Sequence, residues 1–286
     1  MLNINNNFRH EKCPLCGLSC IYVGDINYSS PLHFSNQKIS LILRPELWEC
    51  KNCKSGFVQN VIPEVEAATL YAKGDAGERW STTLFEKSKS NEIIEVLNSL
   101  LVKGLNVLDI GCNTGELLDF AKKRGCQTFG VEYSFSSLSL LKAKGHTTFS
   151  KLDNVNGYYD VITAFDLVEH IYNLPAFLDT CYKKLSPNGY LVFLTGDISS
   201  ITARLTGSNW WYTRFPEHIV FPSKTYFDVS SKFQVVKWVP TYAAIEYKKP
   251  VIKVLKSLLR KLLTGSYAGL PSLGPDHVLV VLKSKE

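Results

Sequence analysis

Residues 106–115 read "NVLDIGCNTG", and residues 116–125 continue "ELLDFAKKRG". The first five residues are a short, mostly apolar run, typical of a strand buried in a parallel sheet. Gly111 and Gly115 let the chain turn there, with backbone N–H groups able to approach a ligand. Leu117, Leu118 and Ala121 then follow at helical spacing. Strand, glycine turn and helix put the positive end of a helix dipole beside the turn, where a carboxylate or phosphate is favoured. The glycines lack the Gly-x-Gly-x-x-Gly spacing of a dinucleotide site.

A second strand, "TFGVEYS" (128–134), brings Glu132 to its end, 21 residues after Gly111. An acid at that place can accept hydrogen bonds from both hydroxyls of a ribose. Further strands are predicted in "HTTFS" (146–150), "YYDVITAFDLVEH" (158–170), "YLVFLTG" (190–196), "FQVVKWV" (233–239) and "HVLVVLK" (277–283). Helices are predicted over 85–101, over "AFLDTCYKKLSPNG" (176–189), ending at Pro187-Asn188-Gly189, and over 223–231. Strands alternating with helices imply an α/β fold, a parallel sheet with helices on both faces.

The glycine turn resembles motif I of the class I S-adenosylmethionine-dependent methyltransferases, with Asp109, Gly111 and Gly115 in place. Asn113 stands where that family often has glycine, and asparagine tolerates the left-handed backbone. The resemblance covers roughly residues 100–286 and is best over 106–196. It implies a Rossmann-like seven-stranded sheet with an antiparallel last strand, and S-adenosylmethionine as cofactor. The cofactor would be held by Asp109, Gly111, Cys112, Asn113, Gly115, Glu132 and Tyr133. Asp153 or its neighbour Leu152 would lie at the adenine edge, and Phe165 and Asp166 beside the methionine portion. Glu169-His170 resembles a Glu-His pair that opens the following helix. His170 is there a cap, a supporting group or a candidate base.

Cys13 and Cys16 form "CPLCG", and Cys50 and Cys53 form "CKNC". Two Cys-x-x-Cys knuckles supply four thiolates for the tetrahedral corners that Zn²⁺ prefers, leaving no open position, so a structural zinc is expected. A hairpin around "ISLILRPELWEC" (39–50) fills the space between the pairs. Cys20 and His33 are nearby and are read as structural or incidental, with Cys20 an alternative to Cys16 in the four-sulfur set. The stretch resembles the zinc-binding region that precedes certain sugar and natural-product methyltransferases. Gly56, Phe57, Val58 and Gln59 match its "Gly-hydrophobic-Val-Gln" tail. The resemblance also makes Tyr71, in the linker, a candidate to fold over the cofactor. The expected organisation is a zinc module at 1–66, a linker and helix at 67–104, and the methyltransferase domain at 105–286. Stretches 197–222 and 241–275 are read as insertions on the substrate side.

Residues 209–221, "NWWYTRFPEHIVF", follow the fifth strand, where connections line the ligand crevice. The stretch resembles the same region of glycan-associated methyltransferases. Trp210, Trp211 and Tyr212 are expected to wall the acceptor. His218, with an ordinary pKa near 6.5, and its neighbour Glu217 are the candidate base pair, against a purely structural role in capping the next helix.

The chain of 286 residues carries a formal net charge of +6. Residues 248–263, with six basic groups and no acid, account for that excess. A general nucleic-acid footprint is therefore not expected. Apolar residues at helical intervals within 250–263 suggest a packed helix or peripheral contact with an anionic membrane surface. No apolar run is long enough to cross a bilayer, and the polar N-terminus lacks a signal peptide's apolar core, so the reading is cytoplasmic, at the inner membrane surface if that contact forms.

Methyl transfer to an oxygen, rather than a carbon, of a sugar, glycan precursor or related metabolite is the leading expectation. "AFDLVEH" lacks the Asn/Asp-Pro-Pro-aromatic motif of nucleobase amino-methylating enzymes. An RNA methyltransferase with a zinc recognition module is one alternative. A cofactor-binding but inactive scaffold is the other, and the intact Asp109, Gly111, Gly115 and Glu132 set speaks against it.

Overall fold

The computed structural model describes residues 2–28, 31–73, 85, 89–229, 232–242, 252, 255, 256, 259 and 272–284. The N-terminal strands are β1 (Leu2–Ile4), β2 (Cys20–Asp25), β3 (Leu32–Phe34), β4 (Gln37–Leu41), β5 (Glu46–Cys50) and β6 (Gly56–Gln59). They divide between two sheets. One has the order β1-β4-β3, and the other contains β2, β5 and β6. The expected hairpin over 39–50 is thus not formed, because β4 pairs with β1 and β3 while β5 pairs with β2 and β6. The hairpin of the first sheet joins β3 to β4 instead, through Ser35 and Asn36, both with positive φ.

Helices α1 (Glu64–Lys73) and α2 (Asn91–Leu100) lead into the main sheet. Its strands are β7 (Asn106–Ile110), β8 (Gln127–Val131), β9 (Thr147–Phe149), β10 (Tyr159–Phe165), β11 (Leu185–Gly196), β13 (Phe233–Thr241) and β14 (His277–Ser284). Their order is β13-β14-β11-β10-β7-β8-β9. Strands β9, β8, β7, β10 and β11 pair in parallel, and β14 lies antiparallel between β11 and β13. This is the Rossmann-like seven-stranded arrangement, with its antiparallel last strand.

The apolar runs explain the layering. Val107, Leu108, Ile162, Ala164, Leu191, Val192, Phe193 and Leu279 are fully or almost fully buried, as strands covered on both faces require. Helix α3 (Glu116–Lys123) turns Leu117, Leu118, Phe120 and Ala121 onto the sheet. The two leucines and the phenylalanine each contribute about 1.5–3 kcal/mol by leaving water. Helices α4 (Phe135–Ala143), α5 (Leu174–Lys184), α6 (Ile201–Thr206) and α7 (Lys224–Val229) complete the described helices.

Two local expectations shift. Glu169-His170 does not open a helix; it lies in a separate 3-10 turn, Val168–His170, and α5 starts later, capped where Asn173 Oδ1 accepts from Ala176 N. Helix α5 also stops at Lys184 rather than at Gly189, because Leu185 already pairs with Tyr159 as part of β11. The short strand β12 (Val220–Phe221) pairs antiparallel with β6 and so closes the sheet β12-β6-β5-β2. The cysteine-bearing sheet therefore takes one strand from beyond β11.

Among the described residues, no helix is long and apolar enough to cross a membrane. The basic segment and the 241–275 insertion lie largely outside the described residues, as does linker 74–84.

Candidate active site

The glycine turn leaves β7 at its carboxyl end. Gly111, Asn113 and Gly115 have φ of 73°, 45° and 83°, the left-handed region. Gly111 N and Cys112 N both donate to Val131 O, at 2.8 and 3.2 Å, tying the turn to β8. Gly130 makes this possible: a Cβ there would come within 2.7 Å of Cys112 Sγ and 2.9 Å of Leu118 Cδ1. Glu132 fastens the other side. Its carboxylate accepts from Asn113 N at 2.9 Å, Tyr133 N at 2.7 Å and Ser134 N at 2.9 Å.

Asp109 is buried beneath the turn and accepts from Thr163 Oγ1 at 2.7 Å. Burial pushes its carboxyl up to about 7; the Thr163 bond works the other way, and the Glu132 charge adds to the rise. Burial likewise raises the Cys112 thiol, so this cysteine is a packing group beside the turn. Asn113 Oδ1 is buried without a hydrogen-bond partner among the described residues. An orphaned acceptor beside a glycine turn and a fixed acid fits a cofactor carrying an amine and ribose hydroxyls. Tyr133 is 74% exposed, and the Asp153 and Glu132 charges act on its hydroxyl.

At the end of β10, Asp166 adopts a φ of 50° and pairs with Lys89 at 3.2 Å. Lys89 Nζ also lies 5.9 Å over the Phe165 ring, and its charge reaches Glu116 at the start of α3. Lys89 thus spans the two sides of the cofactor end of the sheet. Sequence reading missed it, because a lysine in the first turns of the helix predicted over 85–101 carries no motif.

Beyond Asp166 a polar cluster is folded inside the protein. Glu169 is fully buried; it accepts from Thr195 Oγ1 at 2.9 Å and from the hydroxyl of Tyr212. Burial and the like charge of Asp166 raise its carboxyl to about 7, against the Tyr212 bond. His170 Nδ1 donates to Glu217 O at 2.9 Å, and the Tyr71 hydroxyl lies 3.3 Å from the same nitrogen. His218 Nδ1 donates to Tyr212 O at 2.8 Å. The two imidazoles meet edge to face, 4.9 Å apart. Burial lowers the pKa of both rings, and the neighbouring His170 depresses His218 further.

These positions change several sequence-based assignments. His218 joins Glu169 and His170, but burial takes it well below the neutral range expected of a base. Glu217 is not its base partner: its carboxylate accepts from Ser35 N at 2.9 Å, and its carbonyl holds His170. Trp210 is 0% exposed and belongs to the core, so it is not an open acceptor wall. Its Nε1 and that of Trp211 donate to Asp276, at 3.4 and 2.5 Å, and Trp211 stacks on His277. The tryptophan pair is an anchor between this loop and β14. Tyr212 is also buried, its hydroxyl committed to Glu169. Tyr71 packs on Phe34, 4.9 Å between rings, and reaches His170.

The four paired cysteines converge. Their ligand atoms lie within 4.8 Å of one another, with Cys13–Cys53 sulfurs 3.7 Å apart and Cys16–Cys50 sulfurs 3.4 Å apart. A tetrahedral thiolate site with bonds of about 2.3 Å has edges of about 3.8 Å, so the set fits a metal ion. Leu15 N donates to Cys13 Sγ at 3.4 Å, an N–H···S contact that favours thiolate. Cys20 stands opposite Cys50 across β2 and β5, but its thiol donates to Leu18 O and burial raises it to about 11, so it is outside the set.

Fold and site together define an S-adenosylmethionine-dependent transferase of the Rossmann-like type. The chain belongs to the methyltransferase-domain family, whose profile matches residues 81–229. Among curated relatives it is similar to the ubiquinone biosynthesis O-methyltransferase of Bradyrhizobium diazoefficiens, 35% identical over 102 residues, 32% of this chain and 40% of that protein. The enzyme of the same name from Aliivibrio fischeri is 28% identical over 116 residues, 37% of this chain and 49% of that protein. The match thus spans less than half of each of these relatives. Among solved structures, an S-adenosylmethionine-dependent methyltransferase from Mesorhizobium loti superposes with a TM-score of 0.44 at 17% identity, over 66% of this chain and 96% of that one.

Proposed function

We propose that this enzyme transfers the methyl group of S-adenosylmethionine to a hydroxyl oxygen of a small metabolite or glycan precursor, beside Glu169, His170 and His218. The observation that carries this reading is the meeting of those three groups past the end of β10, on the cofactor side of the sheet. The cofactor's ribose would sit on Glu132, and its carboxylate would find the positive charge of Lys89 near the glycine turn. The acceptor oxygen attacks the methyl carbon. The carbon–sulfur bond breaks with its electron pair going to sulfur, and the hydroxyl proton passes to Nε2 of His170, whose Nδ1–H is held by Glu217 O. Alignment accounts for about 7–11 kcal/mol of the barrier lowering. The four thiolates would hold a structural Zn²⁺, whose closed shell takes no part in the transfer.

A second acceptor class is an aromatic ring hydroxyl, favoured by the names of the curated relatives. Labelled methyl transfer into sugar nucleotides, lipid-linked glycans and polyprenylated catechols separates the two. Label on an oxygen in any of these supports the reading; label only in RNA, or only on an amine, overturns it. His170→Ala should lower kcat by roughly 10²–10⁴-fold with S-adenosylmethionine affinity nearly unchanged.

A further inference from the structure

Beyond the acceptor reading, we propose that Glu169, His170 and His218 form a binding site for one divalent transition-metal ion, separate from the four cysteines. One ligand atom from each residue lies within 4.8 Å of the others. In a complex with metal–nitrogen bonds of about 2.0–2.1 Å, neighbouring ligand atoms stand about 3.3 Å apart, so separations of up to 4.8 Å need shorten by about 1.5 Å at most.

The hydrogen bonds around the cluster prepare it for an ion. Each Nδ1–H is given to a backbone carbonyl, Glu217 O for His170 and Tyr212 O for His218. A neutral imidazole so held carries its lone pair on Nε2. Metal-binding histidines are commonly oriented in this way, by a carbonyl or carboxylate on the far nitrogen. Glu169 is oriented likewise: one oxygen accepts from Tyr212 and the other from Thr195, and each keeps a lone pair. The carbonyl of Asp166 also faces the His170 ring, and the Asp166 carboxylate repels Glu169. Burial makes a charged Glu169 carboxylate costly, and a cation held beside it would relieve that cost.

The donor set defines the ion. Two imidazoles and a carboxylate suit Zn²⁺, Fe²⁺, Co²⁺ or Ni²⁺ better than Mg²⁺ or Ca²⁺. Three protein ligands leave coordination positions open, unlike the four-cysteine set. Without the ion the acceptor proton passes to Nε2 of His170; with the ion that nitrogen would be a ligand, a coordinated hydroxyl would lose its proton more readily, and the proton would pass to solvent. This consequence rests on the O-methyl reading; binding of the ion does not.

The test uses the full chain with its four-cysteine site filled by Zn²⁺, titrated with Co²⁺ and followed by visible absorption. The expected result is one further equivalent whose d–d bands lack the sulfur-to-cobalt charge transfer of a thiolate site. His218→Ala and Glu169→Gln should abolish that equivalent, with the zinc of the cysteine site retained. Tyr212→Phe, which keeps the ring and removes the hydroxyl that bonds Glu169 and Thr195, should weaken cobalt binding by roughly 10–100-fold and serves if the buried-ligand variants do not fold. A wild-type protein that takes up no such equivalent, or cobalt binding equal in wild type and Tyr212→Phe, overturns the site. Cobalt binding is read without any acceptor. Failed methyl transfer therefore counts against the acceptor reading alone, whereas a missing equivalent defeats the ion site whatever the activity.

Discussion

Asp109 is buried against Thr163 with its carboxyl raised to about 7, so it is held neutral over much of the pH range in which a free aspartate is charged. A raised carboxyl favours the folded state fully below the unfolded pKa of about 3.9, and that contribution disappears as pH rises through 7. A difference of about 3 units corresponds to about 4 kcal/mol at most. Asp109→Asn should therefore gain stability relative to the parent between pH 5 and 8, the gain growing with pH; thermal unfolding across that range, without cofactor, measures it. His218 has the opposite sign. Its lowered pKa means the fold is favoured above about 6.5 and loses stability as pH falls below it. Glu132 is the acid proposed to hold the cofactor's ribose. Glu132→Ala should weaken S-adenosylmethionine binding by about 1–3 kcal/mol, read by calorimetry, since it removes charge-assisted bonds to the ribose. It should also loosen the turn, because three backbone N–H groups lose their acceptor.

At the scale of elements, the end of β11 positions the polar cluster. A Cβ on Gly196 would overlap the Tyr212 ring and come within 2.8 Å of Trp210 Cη2. Gly196→Ala should push Tyr212 off Glu169, costing about 1–3 kcal/mol of stability by overpacking and lowering turnover more than cofactor affinity. A thermal melt and steady-state kinetics on the same preparation check both. No sequence signal marks this glycine, since it shows only as the end of an apolar run. The main sheet was legible because its central strands are buried on both faces and its glycine turn has local chemistry. The pairing of β4 and β5 in separate sheets was not legible, because adjacency in sequence suggests a hairpin and only long-range register decides otherwise. The tryptophan pair misled for a related reason: aromatic bulk after a strand reads as a ligand wall, and its acceptor, Asp276, lies 65 residues or more downstream. Glu169 and His170 were visible as a pair, but their convergence with His218 depends on the loop returning, tied by Ile219 N to Glu169 O at 2.8 Å.

Across the whole molecule, the cysteine-bearing strands and the loop that follows β11 share a sheet. Val58 N donates to Ile219 O at 2.8 Å, and the Ser223 hydroxyl donates to Cys53 O. Structural zinc contributes about 10–16 kcal/mol in small modules, comparable to the stability of a whole domain. Cys50→Ser should therefore lose the metal, by elemental analysis, and also raise amide hydrogen exchange at residues 219–223. Unchanged exchange there, with metal lost, would mean that the loop stands without the module. The same connection has a consequence for synthesis on the ribosome. All four cysteines emerge early, but β6 keeps an open edge until β12 appears about 160 residues later. At about 5–20 residues per second that is a delay of roughly 8–32 s, during which an unpaired strand edge is available to other chains. The nascent protein is thus most vulnerable to misassembly while its paired cysteines are already outside the exit tunnel, and the end of the loop after β11 is what closes that edge.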